Sequence, residues 1–126
     1  MTDLQVLYVP ESHRIEIILK SALDIPKIKA MYNKATLAIK ECQCNQLLLD
    51  LSQTISIISA AQNFDLVHDF KTFSWNEEEK WAIYYKNDAH LYEVAEQFIE
   101  DRGVSHIKYF KNRAEAIVWL EDFNIK

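Results

Sequence analysis

Three serines stand where a strand hands over to a helix. The apolar run Leu47-Leu48-Leu49-Asp50-Leu51 is followed by Ser52, Ser56 and Ser59. An unbroken apolar run of strand length reads as a strand buried on both faces. Hydroxyls beyond its end, at a helix entrance, occupy a position where anions and partners commonly bind. A phosphate there is tolerated by the helix dipole and switches a surface electrostatically. Ser59, however, precedes Gln62 by the capping-box spacing, which explains it as an N-cap. Asp50 ends the strand, where a carboxylate serves catalysis in some α/β folds. No carboxylate, lysine or histidine stands at a partner spacing, so Asp50 is read as a brace for the turn.

The remaining chemistry-bearing residues form no motif. His13, His68, His90 and His106 include no His-x-x-x-His pair and none adjoins a cysteine. Cys42 and Cys44 lack further ligands at zinc spacing and read as free thiols. One glycine in 126 residues excludes the glycine-rich phosphate loops of nucleotide binders. No metal site, cofactor or catalytic residue is therefore assigned. Phe73, Trp75, Trp81, Tyr84 and Tyr85 concentrate aromatics around one loop and its strand. Trp81 and the tyrosines read as core, whereas Trp75, in the loop, is a candidate for a partner surface.

The length and 49% hydrophobic content fit one globular domain over residues 1–126. A net charge of −5 argues against a nucleic-acid partner. No run reaches membrane-spanning length and no signal segment opens the chain, so a cytoplasmic location is expected.

The elements that position these residues follow from periodicity. Leu4–Val9 and Arg14–Lys20 read as strands of an antiparallel hairpin, the second with Ile15, Ile17 and Leu19 inward and Arg14, Glu16 and Lys20 on a wet face. Asp24 and Pro26 open a helix with Ile28, Met31, Tyr32, Ala35, Ile39 and Cys42 along one side, ending before Asn45. After the central strand a helix is predicted from Ser59 to about Phe70, then a strand from Trp81 to Tyr85. Asn87 and Asp88 are candidate caps for a helix burying Leu91, Val94, Ala95, Phe98 and Ile99 and stopped at Gly103. A strand at Ile107–Phe110 leads to a helix capped by Asn112 and burying Ala114, Ile117, Val118, Leu120 and Phe123. Such alternation predicts an α/β fold, a mixed sheet of about five strands with four helices.

This order, with Leu49-Asp50-Leu51-Ser52 and the ending Ala114-Glu115-Ala116-Ile117-Val118-Trp119-Leu120, resembles the STAS and SpoIIAA-like domains. These include bacterial anti-sigma-factor antagonists, in which a serine at the helix entrance is phosphorylated by a partner kinase. Counted from Asp50, Ile58 replaces the family's aspartate, Ser59 its first serine, Ala60 its acceptor and Ala61 its glycine. The resemblance thus implies a non-catalytic regulatory or protein-interaction module whose phospho-switch is degraded. Its binding region would comprise Ser52, Ser56, Ser59 and Trp75, its partner a protein, and a homodimer is compatible with it. The competing assignment is a carrier of an apolar small molecule or lipid, because SpoIIAA-like domains resemble lipid-transfer folds.

Overall fold

The computed structural model describes residues 4–59 and 78–122. Five strands form one sheet in the order β1 (Leu4–Val9), β2 (Arg14–Leu19), β3 (Gln46–Leu51), β4 (Lys80–Tyr85) and β5 (Ile107–Phe110). β1 and β2 pair antiparallel from Leu4 opposite Leu19 to Val9 opposite Arg14, and the other neighbours are parallel. Three helices lie among the described residues: α1 (Ile25–Cys42), α2 (Ala89–Asp101) and α3 (Arg113–Glu121). The fourth expected helix, from Ser59 to about Phe70, lies outside them.

Each parallel strand adds to the same side of its predecessor. Crossovers of one hand then place their helices on one face of the sheet. Accordingly α1 and α2 share a core with Ile15, Ile17, Leu47, Leu49, Trp81, Ile83 and Ile107. α3 follows the last strand and takes the opposite face, where Ala116 and Leu120 pack on Leu48, Ala82 and Tyr84. The central strand is buried at all six positions, as its unbroken apolar run predicts.

Local signals set the helix ends. Asp24 accepts from the Lys27 amide at 2.8 Å, with Pro26 in the first turn. Asn112 accepts from the Glu115 amide at 3.1 Å. Gly103 ends α2 at φ +74°, a conformation that strains any residue with a Cβ. Asn112→Ala should cost about 1 kcal/mol, read as a lower urea midpoint at constant m-value.

Four expectations need correction. α1 ends before Asn45 as expected, but the left-handed conformation that an asparagine there could supply is taken by Gln43 (φ 54°), whose carbonyl accepts from His13 Nε2 at 2.8 Å. In α2 Tyr92 is buried in place of Val94, since the helix turns its tyrosine onto Tyr85. In α3 Val118 is 69% exposed while Ala116 is fully buried, so the small residue lets the helix approach the sheet. Finally, Arg14 and Glu16 do not make a wet face on β2: each is only 5% exposed and pairs with α3, through Glu121 and Arg113, while Lys20 just past the strand is exposed as expected.

Candidate functional site

The carboxyl ends of β2, β3 and β4 meet a segment, residues 52–59, that turns at Ser52 and Gln53 and then bridges at Ser56 rather than entering a helix. Thr54, Ile55, Ser56 and Ile57 include three β-branched residues, which favour extended backbone. The Leu23 amide donates to the Ile55 carbonyl and the Ile57 amide to the Leu23 carbonyl, both at 3.0 Å. Leu23 and Ser56 thus form a parallel bridge ahead of α1. Thr54, buried, donates its hydroxyl to the Leu19 carbonyl at 2.8 Å.

Asp88 and Asn87 complete the attachment. The Ser56 amide donates to Asp88 Oδ2 at 2.8 Å, and the Asn87 amide group donates to the Thr54 carbonyl at 3.2 Å. These two residues were candidate side-chain caps for α2. Asp88 does occupy the N-cap position, but at φ 59° and without a capping side-chain bond. A carboxylate already engaged by the Ser56 amide has turned away from the helix. Asp88→Ala should therefore free the Ser56 amide to exchange with solvent at least several-fold faster, as hydrogen exchange at this segment would record.

The attachment leaves Ile55 and Ile57 projecting outward, 63% and 64% exposed. Ile58 turns the other way and packs against the main core. Alternation along a pinned extended segment sends successive side chains to opposite sides. Two neighbouring apolar side chains are thereby held in water on a fixed backbone. The signal available in sequence was that same alternation from Thr54 to Ile57, overshadowed by the serines around it.

The serines are not gathered into one constellation. Ser52 donates both its amide, at 3.0 Å, and its hydroxyl, at 2.6 Å, to Asp50 Oδ1. Asp50 thus braces the turn, as its position implied. Ser56, half-buried, accepts from the Ile58 amide on its hydroxyl at 3.1 Å. Ser59 is exposed at the end of the described segment. Ala60, Ala61 and Trp75, and Gln62 as the capping partner of Ser59, lie outside the described residues.

On the α3 side of the sheet, from Asp50 near the carboxyl end of β3 to Arg14 and Lys80 at the amino ends of β2 and β4, runs a charge network that spacing did not reveal. Glu16 accepts from Arg14 Nε at 3.0 Å and from Arg113 Nη2 at 2.9 and 3.0 Å. Arg113, in the first turn of α3, also stands 3.9 Å from Asp50 Oδ2. Arg14 reaches Glu121 at 3.3 Å, where Ser12 donates to the same oxygen at 3.1 Å. Lys80 donates to the carbonyls of Trp119 and Asp122 at 2.8 and 3.0 Å, satisfying the carboxyl end of α3. Every one of these groups has a partner within the fold, so the network seats α3.

A third feature is aromatic. Tyr85 stacks on Tyr92 at 4.7 Å between ring centroids, and Tyr109 stands 6.1 Å from Tyr92. Burial pushes the Tyr92 and Tyr109 hydroxyls far above the usual phenol range. Beside them burial also raises the Glu96 carboxyl, although the Tyr109 amide donates to it at 3.4 Å. The folded chain then holds the Glu96 proton more tightly than the unfolded chain does. This contribution to stability is present at low pH and is lost as pH rises from the ordinary value of 4.5 through the raised one. Urea midpoints measured across pH should show Glu96→Gln flattening that decline.

Among the described residues no three His, Cys, Asp or Glu side chains are grouped to hold a metal ion. Nor is any described helix long and apolar enough to cross a membrane.

No protein-family model matches the sequence, and no curated protein matches it significantly. Among solved structures, the chain is similar to an uncharacterised protein of the DUF3478 family from Shewanella loihica, described as having a SpoIIAA-like fold. The superposition covers 93% of this chain and 91% of that one, with a TM-score of 0.50 and 14% identity. Together with the hairpin, the parallel strands and the helices on both faces, this likeness gives the chain a SpoIIAA-like fold.

Proposed function

We propose that the chain is a non-catalytic protein-interaction module that docks a partner protein on the segment 52–59. The observation that carries this is the pair Ile55 and Ile57, exposed side by side on a backbone fixed by Leu23 and Asp88. Exposed apolar side chains on an already ordered segment favour association, because little conformational entropy remains to be lost on docking. Resemblance to anti-sigma-factor antagonists supports a protein as the partner. With Ile58, Ala60 and Ala61 in place of the family's switch residues, docking would rest on shape and apolar contact rather than on phosphate.

Photo-cross-linking in the source cells tests this. Benzoylphenylalanine at position 57 should yield a discrete adduct, whereas the same probe at position 118, exposed on α3, should not. Excess wild-type protein should compete the adduct away, and the Ile55→Ser/Ile57→Ser variant should compete at least tenfold less well. Equal competition by the two proteins would overturn the proposal. Native mass spectrometry that finds an apolar molecule bound to the purified protein would replace it with the carrier assignment.

A further inference from the structure

The carboxyl end of α1 brings the two cysteines together. Cys42 is the last residue of the helix, Gln43 reverses the chain at φ 54°, and the Cys44 amide returns to the Ile39 carbonyl at 3.1 Å. Cys44 is buried and Cys42 half-buried, and both are free thiols. Cys44 Sγ donates to the Cys42 carbonyl at 3.7 Å, so the Cys44 thiol is turned back toward Cys42. Consecutive Cα atoms are about 3.8 Å apart, so residues two apart across a reversal fall within the roughly 4.4–6.8 Å that a disulfide spans.

We infer that Cys42 and Cys44 form a redox pair that closes to an intramolecular disulfide by exchange with a small-molecule disulfide. The half-buried Cys42 is the thiol a reagent can reach. Its thiolate attacks one sulfur of the incoming disulfide, forming a mixed disulfide and expelling one thiolate. Cys44, whose thiol burial and the neighbouring Cys42 push up, then gives up its proton and attacks the Cys42 sulfur. The second small thiolate leaves. Two electrons pass from the protein dithiol to the small disulfide, and the two thiol protons end on the two released thiols.

Closure has a structural reach beyond the ring. The Gln43 carbonyl inside the Cys-x-Cys turn accepts from His13 Nε2 at 2.8 Å. With Nε2 donating, Nδ1 is the acceptor for the Tyr8 hydroxyl, 3.0 Å away. Tyr8 and His13 belong to the β1–β2 hairpin, and His13 holds its turn at φ 53°. Pulling Cys42 and Cys44 together therefore loads the contact joining α1 to the hairpin. This lies at the amino ends of the parallel strands, away from the segment 52–59, so its test is independent of the docking proposal.

The experiment exposes folded, reduced protein to excess oxidised glutathione, quenches by alkylation with a large excess of iodoacetamide in denaturant at mildly alkaline pH, where free thiols ionise, and records intact mass. Wild type should lose two hydrogens, take up no iodoacetamide and retain no glutathione. Cys44→Ser should stop at a glutathione adduct on Cys42, and Cys42→Ser should react at least tenfold more slowly. Wild type that accumulates the mixed disulfide, or in which both thiols remain alkylatable, would overturn the inference. Because the wild-type mass alone decides the outcome, a variant that folds poorly does not obscure it. On closure the His13 ring resonances should shift in NMR spectra, and oxidation that leaves them unmoved would overturn the coupling to the hairpin.

Discussion

Glu16→Ala is expected to destabilise the fold by roughly 3–5 kcal/mol, the range for removing one partner of a buried ion pair. Glu16 joins two guanidinium groups, Arg14 at 3.0 Å and Arg113 at 2.9 Å. Without it, Arg14 stays buried between the sheet and α3 with only the Glu121 carboxylate, 3.3 Å away and 49% exposed by its side chain. Taking a guanidinium out of water is expensive when so little compensates it. The urea midpoint should fall at unchanged m-value, since the surface exposed on unfolding is nearly the same. A paired change, Arg14→Met with Glu16→Leu, should recover most of the loss by replacing the buried pair with apolar contact. If Glu16→Ala alone shifted stability by less than about 1 kcal/mol, the seating of α3 through these charges would be refuted.

Trp81→Ala is expected to cost roughly 3–5 kcal/mol by opening a cavity on the other face of the sheet. Trp81 is 2% exposed and stacks on Tyr32 of α1 at 5.9 Å between ring centroids. Its indole Nε1 donates to Glu79 at 3.1 Å, so the polar edge is satisfied even where the ring is buried. Trp81→Phe keeps much of the packing and loses the hydrogen bond, and should cost distinctly less. Glu16 and Trp81 sit on strands two apart and face opposite sides of the sheet. Strands two apart are separated by about 9.6 Å, so the effects of the two substitutions should add to within about 0.5 kcal/mol. Chemical denaturation of the single and double variants measures this directly. Strong coupling would mean that the two faces of the sheet respond as one.

Much of the scaffold was legible because its signals are local. The hairpin follows from alternation interrupted at Pro10, and the central strand from five successive residues with a single charge among them. Asp24, Asn112 and Gly103 mark helix ends through contacts within a few residues, which a linear sequence displays. The candidate site was less legible. Serines beyond a strand resemble a helix entrance, yet Ser52 is spent on Asp50 and Ser56 on its own turn. Ile55 and Ile57 share a face by alternation, but an apolar side chain on the surface differs from one in the core only in what covers it.

Asp88 illustrates the same divide. An acidic residue ahead of an amphipathic helix is a cap by every local criterion. Its carboxylate instead receives the Ser56 amide, 32 residues earlier in the chain. The sequence alone determined the order of the described strands and helices, the antiparallel start and three of the helix ends, because propensity, periodicity and capping act over short separations. Only the tertiary structure decided that Arg14 and Glu16 are buried, since Arg113, which meets Glu16, is 97 residues away. It also decided that Ser52 and Ser56 serve as braces of their own turns while two isoleucines face the solvent. A period of two tells which side chains share a face; what lies against that face is set by elements distant in sequence.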